Sequence, residues 1–244
     1  MDKLWKYIIC SSAFVLAAMV IAAAYTSKSR NQGTITVTGL GETEFTSDMI
    51  VIDGYVRVKN DDAAVGYVEL DKQCRKVEEF LLGKGVAKEA ISFTMPTARE
   101  VFENVYIDGD YVGEKSAGYV LQQSFTIESK DVDAIEVAAR QLPSLMADGI
   151  MVSVDEPLYY YTKLETVKHD LIGAAAADAH ARAELIATNS GAKLGQLISS
   201  RAGVFQITAA TGDEEFSAGG SFNLSSREKK ARVTVRAEFK VRNN

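Results

Sequence analysis

The stretch Glu165–Ser190, ETVKHDLIGAAAADAHARAELIATNS, constrains this chain more than any other. It is the longest helical pattern in the sequence, with no proline and a single glycine, Gly173. Thr162 stands three residues before Glu165, the spacing of a capping box in which hydroxyl and carboxylate satisfy backbone N–H groups reciprocally. Gly191 follows the last periodic residue, where a left-handed C-cap is expected. Ile172, Ala176, Ala179, Ala183 and Ile186 recur at 4, 3, 4 and 3, one face of a helix. That face is mostly alanine and therefore thin, so the helix can lie close against a sheet or another helix.

Charge is unevenly placed along the 244 residues. The chain carries -6, but residues 1–30 hold Lys3, Lys6, Lys28 and Arg30 against Asp2, or +3, which leaves -9 on the remainder. An acidic body argues against nucleic acid as a partner. It also argues against broad adhesion to anionic lipid. The two cysteines, Cys10 and Cys74, fall in an apolar run and on a helix, so they define no disulfide framework.

Lys3 and Lys6 precede an apolar run from Tyr7 to Tyr25. This pattern is a targeting segment separate from the fold. Two readings stand. Ala22, Ala23 and Ala24 suit the cleavage site of a secretory signal. The length of the run suits an uncleaved inner-membrane anchor, since a bilayer core takes roughly 20 residues. Either way residues 1–32 form an N-terminal segment with a short linker, and the domain over residues 33–242 is expected to be exported to the periplasm.

In that domain Thr34–Thr38 reads as a short strand broken by Gly39 and Gly41. The two glycines make no dinucleotide fingerprint, because Glu44 stands where the third would fall. Ile50, Ile52, Val56 and Val58 alternate with Val51, Asp53, Tyr55 and Arg57 in a second strand. Asn60, Asp61 and Asp62 offer cap oxygens for a helix reaching about Leu82, with Tyr67, Leu70, Cys74, Val77 and Leu81 as its stripe. Cys74 reads there as a small core hydrophobe. Ile91–Thr94 is a strand stopped by Pro96, and Asp108-Gly109-Asp110 marks a hairpin. The returning arm continues into Tyr119–Glu128, where Tyr119, Leu121, Phe125 and Ile127 share a face. Asp131 caps a helix from Val132 to about Met146, followed by a strand over Ile150–Val154 and the cluster Tyr159, Tyr160, Tyr161. After the long helix, Lys193–Phe205 resumes strand character and 208–230 reads as a polar mobile loop. Arg232–Val241 alternates strictly, with Val233, Val235, Ala237, Phe239 and Val241 inward. The order strand, helix, glycine, strand occurs twice, over residues 50–94 and 119–154. Together these segments predict an α+β fold, a largely antiparallel sheet with helices packed on it.

Chemistry is hard to place. His169 and His180 share a face of the long helix, but eleven residues rise about 16 Å along its axis. One metal ion cannot bridge that span with bonds of about 2 Å. Asp178 and Arg182 are spaced i, i+4 as a surface pair. G-x-S-x-G, H-E-x-x-H, paired C-x-x-C and P-loop patterns are all missing from the sequence. No catalytic, cofactor-binding or metal-binding residue is assigned, no cofactor is expected, and an enzyme is not expected. A carboxylate such as Asp53 could meet another only through the fold.

Two stretches carry a family resemblance. ITVTGLGETEFTSDMIVI, residues 35–52, is similar to the opening strand, G-x-G turn and second strand of SIMPL-domain proteins, with Ser47-Asp48 where that family commonly has Pro-Asp. AAAADAHARAELIATNSGAKLGQL, residues 174–197, resembles its alanine-rich helix, with Asp178, Ala179, Ala183, Ala187, Gly191, Leu194 and Gly195 on the pattern. The resemblance implies an exported, envelope-facing α+β protein that in some members is a homo-oligomer, and it carries no catalytic residues. The expected function is a non-enzymatic envelope protein that self-assembles. The alternative is a binding module for a small ligand or an envelope partner, using Tyr159–Tyr161 or the 208–230 loop.

Overall fold

The computed structural model describes residues 14–22, 33–211 and 217–243. Residues 14–22 are helical and exposed. No helix among the described residues is long and apolar enough to cross a membrane. Most of the Tyr7–Tyr25 run, with Cys10, lies outside the described residues.

Two sheets carry the domain. The first is built from β2 (Met49–Asn60), β3 (Ile91–Phe93), β4 (Thr97–Ile107), β5 (Asp110–Ser129), β6 (Met151–Val154) and β7 (Leu158–Tyr160). Its central order is β3-β5-β2-β6, antiparallel throughout. β2 leads through α1 (Ala63–Gly83) to β3, and β5 leads through α2 (Val132–Gln141) to β6. Each pair is split by a strand of the other, so the two strand–helix–strand units interleave in the β-α-β-β-α-β arrangement. The weak duplication of element order therefore has a structural counterpart. Ile50, Ile52 and Val56 of β2 and Phe125 and Ile127 of β5 are fully buried against Leu70, Val77 and Leu81 of α1 and Ile135 of α2.

Local chemistry explains most of these boundaries. The Asp62 carboxylate accepts from the N–H groups of Ala64 (2.7 Å) and Val65 (3.1 Å), which starts α1. The α1 stripe differs from expectation at one position: Tyr67 is exposed, and Gly66 is buried in its place beside Leu121. Asp131 caps α2 through Ala134 N–H. The α2 pattern does not continue as α-helix to Met146. Pro143 has no N–H to extend the ladder, and Leu142–Asp148 winds as a 3-10 helix that ends at left-handed Gly149. Asp108 and Gly109 both have positive φ (54° and 93°), as the tight turn between β4 and β5 requires.

The second sheet holds β1 (Gly33–Thr46), β8 (Ala192–Ala202), β9 (Gln206–Ala209), β10 (Ser221–Phe222) and β11 (Glu228–Asn243). β11 runs down its centre, with β1 on one side and β8 and β9 on the other. Ala231, Val233, Val235, Ala237 and Phe239 are buried, as the alternation requires. Glycine does not break β1. The strand passes through Gly39 and Gly41 without interruption and pairs with β11 from Gly33 to Thr46. The 208–230 segment is also more ordered than a mobile loop. Thr208 and Ala209 belong to β9, and Lys229 is buried with its ammonium donating to the carbonyls of Asn223 (2.7 Å) and Ser226 (2.6 Å). Residues 212–216 of that segment lie outside the described residues.

α3 (Leu164–Asn189) covers the second sheet. Its start corrects the capping-box reading. Lys163 occupies the N-cap position without a side-chain bond. Thr162 instead donates twice to Asp48, from its N–H at 2.7 Å and its hydroxyl at 2.6 Å, while Glu165 pairs with Lys168. The buried face is also rotated from expectation. Leu171, Ala175, Ala179, Ala183 and Ala187 face the sheet at a constant spacing of four, whereas Ala176 is exposed and Ile172 and Ile186 are 39% and 46% exposed. Gly191 is left-handed (φ 71°), as expected after the helix end.

Candidate functional site

Three regions combine sequence-specific geometry with accessible or polar chemistry: the contact of α3 with β1, the junction between the sheets, and the surfaces of the β4–β5 hairpin and the α3–β8 groove.

The first explains both family-like stretches. A Cβ at Gly39 would collide with the backbone of Ala175 and Ala179, lying 2.9 Å from Ala179 Cα, and one at Gly41 would meet the carbonyl of Leu171. Helix and strand thus touch backbone to backbone, which needs glycine on one side and small residues on the other. The Asp178 carboxylate accepts the Leu40 N–H at 2.8 Å and pairs with Arg182 at 2.8 Å. Arg182, then the Leu40 N–H, hold Asp178 below the usual carboxylate range. A β1 donor with no strand beside it among the described residues therefore has a partner on the helix.

The second region ties the sheets together. Asp48 N–H donates to the Tyr160 carbonyl (3.0 Å), Tyr159 N–H to the Leu224 carbonyl (2.8 Å) and Ser47 N–H to the Arg227 carbonyl (2.9 Å). Burial works to raise the Asp48 pKa, but the two Thr162 hydrogen bonds prevail and lower it. Arg227 pairs with Asp133 of α2 at 2.6 Å, and that bond lowers the Asp133 pKa. The Tyr159 hydroxyl donates to Glu136 at 2.8 Å. Burial first, then this bond, push Tyr159 up to about 12. A groove of about 450 Å³ opens beside this pair, lined by Ile52, Ala139, Arg140, Pro143, Val154 and neighbouring residues.

The third region is apolar. The β4–β5 hairpin extends past the sheet: from Phe102 to Ser116 its two strands pair only with each other among the described residues. Phe102, Tyr106, Ile107, Tyr111 and Val112 are each 55–60% exposed there. Sequence reasoning located the turn but missed this surface. The available signal was that Phe102, Val105, Tyr106 and Ile107 do not alternate, so both faces of the arm are apolar. On the second sheet, α3 leaves part of β8 uncovered. A groove of about 330 Å³ runs there between Ile172, Ala176 and His180 on the helix and Leu197 and Ala202 on the strand.

The single residues weighed from sequence are spread apart. Cys74 is buried in the first core, and burial pushes its thiol up to about 11. His169 is exposed, and His180 packs edge-on to Phe239 with ring centres 5.7 Å apart. Asp53 accepts from the Thr126 hydroxyl at 2.5 Å. Tyr159 to Tyr161 do not form one platform, because Tyr159 is in the core while Tyr161 packs on Phe45 at 4.7 Å. Among the described residues, no three of His, Cys, Asp or Glu form a metal-holding group. Neither histidine there accepts a hydrogen bond from a serine, threonine or cysteine side chain.

Comparison with known proteins bears on kinship. A family model described as SIMPL, protein of unknown function (DUF541), matches residues 35–239. No curated protein matches. Among solved structures, the chain is similar to the de novo designed protein Foldit4, with 11% identity and a TM-score of 0.26 over 44% of this chain and 93% of that one. It is also similar to a hydantoinase/carbamoylase family amidase from Burkholderia ambifaria, with 15% identity and a TM-score of 0.26 over 45% of this chain and 28% of that chain.

Proposed function

We propose that this chain, which belongs to the SIMPL family, is a non-enzymatic cell-envelope protein that assembles with copies of itself. The observation that carries this reading is the β4–β5 arm. A two-stranded ribbon is marginally stable alone in water. Here the arm leaves its sheet with Phe102, Tyr106 and Tyr111 all more than half exposed. An aromatic side chain offers about 150–250 Å² for burial, so these three rings alone leave about 300 Å² in water. The largest apolar patch on a soluble monomer is of about this size and is often functional. Lys3 and Lys6 before the Tyr7–Tyr25 run support export and either an inner-membrane anchor or a cleaved signal.

Sedimentation velocity of the full chain in mild detergent tests the assembly. Species larger than one chain are expected, and a monomer at every concentration refutes it. Cell fractionation with protease added outside the inner membrane tests the placement, with cleavage expected and full protection contradicting it.

The groove beside Tyr159 and Glu136 favours a second reading, a binding module. Its surface is mostly apolar and is rimmed by Glu136, Arg140, Asp155 and Glu156, and convergent polar groups on an apolar cleft are the general form of a small-molecule site. Thermal-shift screening against small amphipathic molecules tests it, and the absence of any shift with an intact fold counts against it.

A further inference from the structure

The geometry points to a specific contact for that assembly: the β4–β5 arm of one copy seats against the β8 edge and the adjoining α3 groove of a second copy. This inference rests on the self-assembly reading and adds the surfaces and their pairing. Among the described residues, two apolar surfaces lie beside unpaired strand edges. One is the arm, with apolar side chains on both faces. The other is the uncovered strip of the second sheet, where Leu197 (52% exposed) on β8 and Ile172 (39%) on α3 line one groove.

The sheet's two long edges are treated differently. On β1 the helix lies against Gly39 and Gly41, and Asp178 takes the Leu40 N–H. β8 pairs with β11 on one side and with no strand on the other among the described residues. Its charges and register irregularities limit casual pairing, and an unpaired edge remains available to a strand or hairpin that matches it.

Charge selects between the ways two copies could meet. Residues 97–118 hold Glu100, Glu103, Asp108, Asp110 and Glu114 against Arg99 and Lys115, a net of -3. β8 holds Lys193 and Arg201 and no carboxylate along its edge, while Arg236 and Glu238 of β11 lie with Arg201 on the sheet face opposite the α3 groove. Arm against arm sets like charges together, as does β8 against β8. Arm against β8 sets opposite charges together, and complementary potentials fix partner and register. Repeated head to tail, this contact closes a ring or extends a filament, and two copies that exchange arms close a two-fold dimer.

Complementation tests this directly. Tyr106→Ser with Tyr111→Ser disables the arm, and Ile172→Glu with Leu197→Glu disables the groove. All four positions are exposed, so both variants should melt like the wild type. A third variant, with residues 101–117 replaced by a short Asn-Gly turn, removes the arm without relying on point substitutions. Each variant alone should weaken assembly by roughly tenfold or more, as expected when aromatic or apolar anchors are lost. An equimolar mixture of arm-disabled and groove-disabled full chains should give dimers that grow no further, because only one arm and one groove remain able to pair. If the wild type assembles and the variants assemble equally well, this contact is wrong while self-assembly stands. If the variants are monomeric and their mixture stays monomeric, the arm-to-groove pairing is overturned. A wild type that is monomeric throughout overturns both this contact and the self-assembly reading, and leaves the arm to a different partner.

Discussion

Adding one methyl group at Gly39 should damage this fold out of proportion to its size. A Cβ there falls onto the Ala175 carbonyl and the Ala179 backbone, with Ala179 Cα at 2.9 Å. Flexible side chains can swing aside, but these obstacles belong to a helix whose carbonyls and N–H groups are already bonded. Relief requires α3 to lift from β1, which also stretches the Asp178 bond to Leu40 N–H. Overpacking a well-filled interior costs about 1–3 kcal/mol, and a backbone obstacle belongs at the upper end. Replacing glycine inside a strand returns about 0.5–1 kcal/mol of chain entropy. The net expectation for Gly39→Ala is a loss of about 2–2.5 kcal/mol. For a chain of this size that lowers Tm by about 5–10 °C. Thermal unfolding followed by circular dichroism reads it. Gly83→Ala is the control, since its Cβ meets nothing within 4 Å. It should leave Tm unchanged or raise it slightly. A Gly39→Ala protein that melts with the wild type would refute the backbone contact of α3 with β1.

Ala179→Leu should cost about 1–3 kcal/mol in urea unfolding through overpacking of the same face, whereas Ile186→Ala, at a 46% exposed position, should cost less. Lys229→Met should destabilise by about 1–3 kcal/mol, since the carbonyls of Asn223 and Ser226 lose a charged donor. Asp48 and Asp178 have lowered folded-state pKa values, so the unfolded chain binds protons first as pH falls. Their stabilisation is complete above the unfolded value near 3.9 and is lost as pH falls through the folded values. Asp178→Asn should therefore flatten the acid limb of a Tm-against-pH profile below about pH 4. In a Cys10→Ser background, Cys74 should resist thiol reagents at pH 8 until the protein is unfolded, given its burial and a thiol pKa of about 11.

Much of this architecture was legible because it follows from local rules. The β11 alternation, the Asp62 and Asp131 caps, the Asp108-Gly109 turn and the extent of α3 each depend on neighbouring residues. The errors fall where a distant element decides. Gly39 and Gly41 read as breakers because their purpose, the close approach of α3, lies about 135 residues away in sequence. Thr162 read as a helix cap because the competing acceptor, Asp48, is 114 residues distant. The alanine face was rotated because Ile172 and Ile186 look like core residues, and only the flat approach to β1 makes alanine the better fit. The arm's exposure was illegible for a related reason: a sequence shows which residues are apolar, while the sheet's width decides which strands run past it.

The account turns on whether the arm is covered in the assembled protein, and hydrogen exchange measured across a concentration series tests that most directly. The account predicts that amides of 101–107 and 110–117 exchange fast in dilute full chain and gain protection as concentration rises, with β8 amides of 192–202 gaining protection along the same curve. Protection in both segments that is independent of concentration would contradict it.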